Sequence, residues 1–310
     1  MIPKAIRFLT FLLLTLSFHS RGLCAGDQSG DTLIVTIGVK GNELTRDWIN
    51  AVATRMSKHR LDSLTALRRK PTTEELEWID LIQAKASHWN SFRDSLESAF
   101  VDSHVPERIY VLLGFAGGDD AFTYQFNTVC FDLAALQQVY GAAEWAENSE
   151  RMDRLFSHEF THLIHKEWAK KNKWLLPTFK DSVLWECFYE GMGMYRSLSR
   201  KWLPAGGQLP LNTAQALEAL YPEFVEHLTK VNDKHQLSTR ERYAVIANLS
   251  RGQIDKKWGA FTVAIWLAMV ANGDEANLIP LTQIGSEAVI LLAKKYLPPE
   301  LRKRFNKSFK

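Results

Sequence analysis

The chain has 310 residues, 46% of them hydrophobic, and a formal net charge of +3. That length and apolar fraction suffice for one large domain or two lobes with a substantial core. Three cysteines exclude a disulfide scaffold, and with no long basic run nothing suggests an electrostatic nucleic-acid binder. The short clusters "RRK" at 68–70 and "RKRF" at 302–305 read as solvated helix ends.

The chain opens with a basic start at Lys4 and Arg7, an apolar run from Phe8 to Phe18, and Leu23-Cys24-Ala25, with a small residue at the end. This is the pattern of a secretory signal cut after Ala25, and the run is short for a bilayer span. An uncleaved anchor is the rival reading; a lipid-anchored Cys24 is weaker, because Arg21 and Leu23 are poor flanks. Removing residues 1–25 takes away Lys4, Arg7 and Arg21 and no acidic residue, so 38 basic and 35 acidic residues become 35 of each. The expected product is secreted or periplasmic, with no stable membrane insertion after cleavage. In an oxidising compartment Cys130 and Cys187 would either pair or stay as two buried thiols.

Residues 33–39, LIVTIGV, read as a buried strand. From Leu44 to about Phe100 apolar residues recur at three- and four-residue spacing, so the segment reads as helices broken at Pro71, with Thr72 or Thr73 as a cap and Glu75 in the first turn. RIYVLLG at 108–114 returns to strand character. The Gly- and Asp-rich "GFAGGDDAF" marks a turn, and 122–133 reads as the second arm of a hairpin. Asp132 is placed to cap a short helix through Tyr140. A helix is predicted over about 151–171 and another, restarted at Asp181 or Ser182, over about 183–199. "LPAGGQLP" at 203–210 is the clearest boundary. Amphipathic helices are expected beyond it at 212–230, 238–250, 257–271 and 285–296.

The predicted 151–171 helix contains His158-Glu159-Phe160-Thr161-His162. Residues four apart share a helix face, so His158 and His162 can offer two imidazole nitrogens to one ion. Glu159 sits about a quarter-turn round, where a general base for an attacking water belongs. Neutral imidazole suits zinc, and a catalytic zinc site takes three protein ligands and one open position. The next helix offers "LWECFYEGMGMYRS", with Glu186 and Glu190 also four apart.

An HExxH motif followed on the next helix by Glu-Gly, a small residue and an aromatic resembles the gluzincin metallopeptidases. Within that group it looks similar to the poorly characterised predicted zinc-dependent proteases, in which a hairpin precedes the motif helix. The resemblance covers about residues 108–200, and "KKWGAFTVAIWLAMVANGD" at 256–274 is similar to a C-terminal helix those proteins often carry. Many members write Glu-Gly-x-Ala-x-Tyr; this chain has Glu190-Gly191-Met192-Gly193-Met194-Tyr195. The resemblance makes Glu190 the third zinc ligand, Glu159 the general base and Tyr195 the oxyanion stabiliser, with Tyr189 and His165 as other candidates for that last role. Two features depart from the best-known gluzincins: the spacing from His162 to Glu190 is longer, and Met194 stands where thermolysin-like enzymes place an aspartate. Glu186 could serve as the partner that orients a histidine.

Other readings fall away on the residues. A metzincin would need glycine at 165 and histidine at 168, where the chain has His165 and Trp168. His165 shares the His158 face, but one straight helix cannot wrap three ligands round a tetrahedral ion. Asp119-Asp120 lacks further carboxylates at calcium-loop spacing and reads as a polar turn. Cys187 reads as a packed thiol rather than a nucleophile. The expectation is thus an α+β fold: a signal peptide at 1–25, a zincin-like catalytic lobe at 26–202 with a small sheet and the HExxH helix, and a helical C-terminal lobe at 203–310, with the cleft between the lobes. The expected function is zinc-dependent hydrolysis of a peptide or protein substrate. The alternative is a degenerate zincin that binds a peptide or partner without turnover.

Overall fold

The computed structural model describes residues 32–101, 103, 105–233 and 236–310; the predicted leader lies outside them. The fold is α+β and mostly helical, with a small mixed sheet. It forms two compact units, one ending at Lys173 and the other running from Trp174 to Lys310.

The first unit starts with β1 (Thr32–Ile37) and a two-residue pair, β2 (Val39–Lys40) with β3 (Glu43–Leu44). Three helices follow: α1 (Arg46–Ala53), α2 (Lys58–Ala66) and α3 (Thr73–Glu97). Each begins at a hydroxyl that accepts a backbone N–H in its first turn: Thr45, Ser57 and Thr72. The predicted cap of α3 is Thr72, and Glu75 completes a reciprocal capping box. A break before Ser57, unmarked by any proline, separates α1 from α2.

The helices carry the chain over to β4 (Arg108–Gly114), which pairs in parallel with β1. Parallel neighbours require such a crossover. Next come β5 (Ala121–Tyr124) and β6 (Thr128–Asp132), giving the sheet order β1-β4-β6-β5. The hairpin expected between 108–114 and 122–133 is not formed. The segment 122–133 itself folds back at Gln125, which adopts a left-handed φ of 55°, so the hairpin is β5–β6 and β6 runs parallel to β4. Every residue of β6 is buried, as befits an interior strand covered on both faces. Trp48 of α1 lies against the sheet because Gly114 has no side chain; a Cβ there would come within 2.2 Å of the indole ring. The indole Nε1 donates to the Phe115 carbonyl at 3.2 Å.

Asp132 caps α4 (Leu133–Tyr140), as the sequence predicts, and also accepts from the backbone N–H groups of Ala116 and Gly118, which fastens the Gly-rich turn. The last helix of the unit, α5 (Ala146–Lys171), starts five residues before its predicted position. The polar "NSE" at 148–150 belongs to it because Asn148 turns inward and donates to the carbonyls of Ala142 and Tyr140 at 2.7 and 3.3 Å.

The second unit starts with α6 (Phe179–Ser197), capped by Thr178 with Asp181 at its third position, so the helix begins four residues before the predicted one. The 203–210 stretch is a turn in which Ala205 and Gln208 pair and Gly206 and Gly207 both take positive φ. Then follow α7 (Leu211–Asn232), α8 (Thr239–Ala247), α9 (Ala260–Ala271), α10 (Ile279–Ile284), α11 (Ala288–Tyr296) and α12 (Pro299–Ser308). Expected to be amphipathic, α9 is instead buried on nearly every side, with Phe261, Ile265 and Trp266 all inaccessible.

α9 packs on α6 at Gly191, where a Cβ would fall 2.6 Å from Val263 Cγ1 and 2.9 Å from its Cβ. Those atoms are β-branched and enclosed, so they cannot swing away. Gly191→Ala should therefore destabilise the protein by about 1–3 kcal/mol in urea unfolding. A cycle with Val263→Ala should show a coupling of about 1 kcal/mol or more; strictly additive losses would mean that the close approach is not the constraint.

Candidate metal centre

The rotation of α5 about its axis is set by an aromatic stripe. Phe156 stacks on Trp89 of α3 at 4.4 Å between ring centroids, with planes 4° apart, and on Phe160 at 5.5 Å. Asp153 accepts from Trp89 Nε1 at 2.8 Å and from Lys85 Nζ at 2.7 Å, so α3 also grips the helix through charge. On the other side Lys166 donates to the Thr123 hydroxyl of β5. His158 lies about 200° round from Phe156 at 100° per residue, which turns the histidine face away from this packing.

On that face the Nε2 atoms of His158 and His162 are 3.0 Å apart and the rings stand at 88°. Two nitrogens bound at ~2.0–2.1 Å to one tetrahedral ion would be roughly 3.3 Å apart, so the pair has about the bite such an ion needs. His162 is buried, and its pKa is held well below the usual imidazole value, chiefly by desolvation and then by the neighbouring His158, Lys166, His165 and Arg55. Its imidazole is therefore neutral at pH 7, the state in which it can bind a metal. Glu159, next along the helix, is also buried. His165 is buried with its ring edge-on to Phe100 at 4.6 Å, among the core residues, as the one-helix geometry requires.

On α6, Glu186 and Glu190 follow one another by a turn, and their surroundings differ. The Ser250 hydroxyl donates to Glu186 Oε1 at 2.8 Å. Burial pushes the Glu186 carboxyl up to about 7, with the nearby Glu190 adding to the rise and Ser250 and Arg251 opposing it. The ligand atoms of His158, His162 and Glu190 all lie within 4.8 Å of one another. Glu186 is not in that group. Two imidazoles and one carboxylate form a donor set that suits zinc and leaves a coordination position open.

The remaining singled-out residues fall elsewhere. Tyr195 bonds the side chain of Glu275; burial first, and then that carboxylate, push its phenol well above the usual range. Arg196 donates to the same Glu275 at 2.8 Å, closing a polar group that sequence reasoning missed, because Glu275 lies 79 positions beyond Arg196. Tyr189 stacks on Trp185 at 5.7 Å. Cys187 is buried, with its thiol pushed up by desolvation and by Glu186, and Cys130 is buried and free as well. Neither thiol is set up as a nucleophile. Asp119 pairs with Arg55, and Asp120 accepts from the Tyr140 hydroxyl and the Ala121 N–H, so the Asp pair is a bonded turn.

Compared with known proteins, the chain matches no family model, no curated protein and no solved structure at a significant level.

The raised Glu186 has a consequence for stability. A carboxyl that keeps its proton longer when folded makes the folded state lose ground as pH rises, starting near its ordinary value of 4.5 and complete above about 7. Glu186→Gln removes that loss. In chelator-treated protein its unfolding midpoint, relative to the parent, should be more favourable at pH 8 than at pH 5. A pH-independent difference would show that Glu186 does not titrate in this window.

Proposed function

We propose that the chain is an exported zinc metallopeptidase of gluzincin type, hydrolysing a peptide or protein substrate. The observation that carries the reading is the convergence of His158, His162 and Glu190 to within 4.8 Å, with buried Glu159 beside the pair. The donor set fits the metal: His162 is neutral through burial, and three protein ligands leave one position for water or substrate. When bound, zinc polarises the scissile carbonyl and acidifies water.

The chain's own residues supply the rest. Glu159 takes the proton of the attacking water and hands it to the leaving amine. The Ser250 hydroxyl holds Glu186, which leaves Glu190 as the carboxylate of the ligand set. The oxyanion-stabilising role that the resemblance gives Tyr195 would require its hydroxyl to leave Glu275, which it bonds in the fold. Export rests on the leader pattern, Lys4 and Arg7 before the Phe8–Phe18 run.

Elemental mass spectrometry of the purified chain should find about one zinc per chain, lost in Glu190→Ala. Glu159→Gln should keep the zinc and lower kcat on a peptide library by about 10²–10⁴-fold. Equal cleavage by parent and Glu159→Gln would sink the mechanism. Bound zinc with no cleavage by the parent would assign the chain to a peptide-binding role. No zinc even after supplementation would remove the metal site.

A further inference from the structure

Charge is distributed unevenly along the chain. Residues 288–310 carry seven Lys and Arg (Lys294, Lys295, Arg302, Lys303, Arg304, Lys307, Lys310) against one acidic residue, Glu300. The preceding 287 residues carry 31 basic and 34 acidic. The sequence alone reads this end as a solvated helix terminus, and the structure adds what the cations are doing.

None of the seven forms a salt bridge among the described residues. Arg302 is spent on the fold, its Nε and Nη2 both donating to the Leu297 carbonyl. Lys303 and Lys307 are exposed and one turn apart, so they share a face of α12, and with Arg302, Asn306 and Lys310 they line one shallow surface groove. α12 is held to its unit from the opposite side, through buried Phe305 and Phe309 stacked at 4.5 Å. Its basic face is therefore presented by an anchored helix and not by a frayed end.

The preceding helix adds apolar surface. Leu291 of α11 is 51% exposed, with Lys295 one turn further on the same face, and Ile284 at the end of α10 is 37% exposed. The stretch Glu275–Tyr296 is apolar enough, by length and composition, to pass for a membrane span, yet it is broken into α10, α11 and 3₁₀ turns and is only partly buried. An exposed leucine with a lysine one turn on, followed directly by a helix with an exposed lysine pair, is the mixture that adsorbs to an anionic bilayer surface: lysines meet headgroup phosphates and apolar side chains enter the acyl boundary. A polynucleotide would use the cations and gain nothing from Leu291.

We infer that α10–α12 form a docking surface for anionic phospholipid, through which the protein adsorbs to a membrane face without crossing it. The inference does not depend on the metal-site reading.

The test is cosedimentation of the full purified chain with large unilamellar vesicles of phosphatidylcholine alone or mixed with phosphatidylglycerol, at low and high salt. Binding to the mixed vesicles, weak on phosphatidylcholine and falling with salt, is expected. Each surface lysine removed should weaken partitioning about fivefold, so Lys303→Ala with Lys307→Ala should cost roughly 25-fold. Leu291→Ser should weaken binding at high salt as well, where the electrostatic part is screened. Unchanged thermal midpoints in these exposed-site variants would confirm that the surface and not the fold was altered. Equal binding to both vesicle types, or no effect of the lysine pair, overturns the proposal. So does tighter binding to single-stranded oligonucleotide that Leu291→Ser leaves unchanged, which would point to a nucleic-acid surface.

Discussion

The stack of Trp89 on Phe156, with Asp153 accepting from the Trp89 indole and from Lys85, is the contact on which the candidate site depends. A 26-residue helix could rotate about its own axis by a few tens of degrees at small cost if only aliphatic side chains held it. Two flat rings stacked face to face and a carboxylate gripped by an indole and an ammonium leave far less freedom. Because residues advance by about 100°, fixing Phe156 fixes where His158, Glu159 and His162 point. The orientation of the histidine face is thus set from the other side of the helix, by Phe156 and Asp153.

Legibility in the sequence tracks distance along the chain. Thr72 with Glu75, and Asp132 ahead of α4, are readable because a cap and its partners lie within three residues. The histidine pair is readable for the same reason, since i and i+4 are one turn apart on any helix. The strand pairing is not: 108–114 and 122–133 look like two arms of one hairpin, and only the left-handed Gln125 and the competition for an interior position make β6 run parallel to β4 instead. Asn148 misleads in the same way. A polar triplet reads as a break until the carbonyls at the end of α4 are brought within its reach. The partners of the α6 side chains, Ser250 for Glu186 and Glu275 for Tyr195 and Arg196, lie far along the chain, 64 positions from Glu186 and 79 from Arg196, and carry no local signal.

Gly191 shows how one residue can answer to two demands. By resemblance it follows Glu190, the expected third ligand, in a Glu-Gly pair, which invites a reading through the chemistry of the site. In the fold it is the point where α9 meets α6 too closely for any side chain, with Val263 occupying the space. Packing therefore accounts for the glycine without help from the metal. It also explains why α9 is apolar all round: a helix seated against a bare backbone, with aromatic neighbours on its other faces, has no side left for water.

Desolvation acts on the histidine and on the glutamate with opposite outcomes in proton occupancy, because in each case it disfavours the charged form. A buried imidazole loses its proton, as His162 does, and so becomes a donor instead of a competing cation. A buried carboxyl beside another carboxylate retains its proton, as Glu186 does up to about pH 7, which spares α6 the repulsion of two anions one turn apart. The Ser250 hydroxyl then engages Glu186, so one elementary effect and one hydrogen bond give a neutral imidazole on α5 and set Glu186 apart from Glu190 on α6.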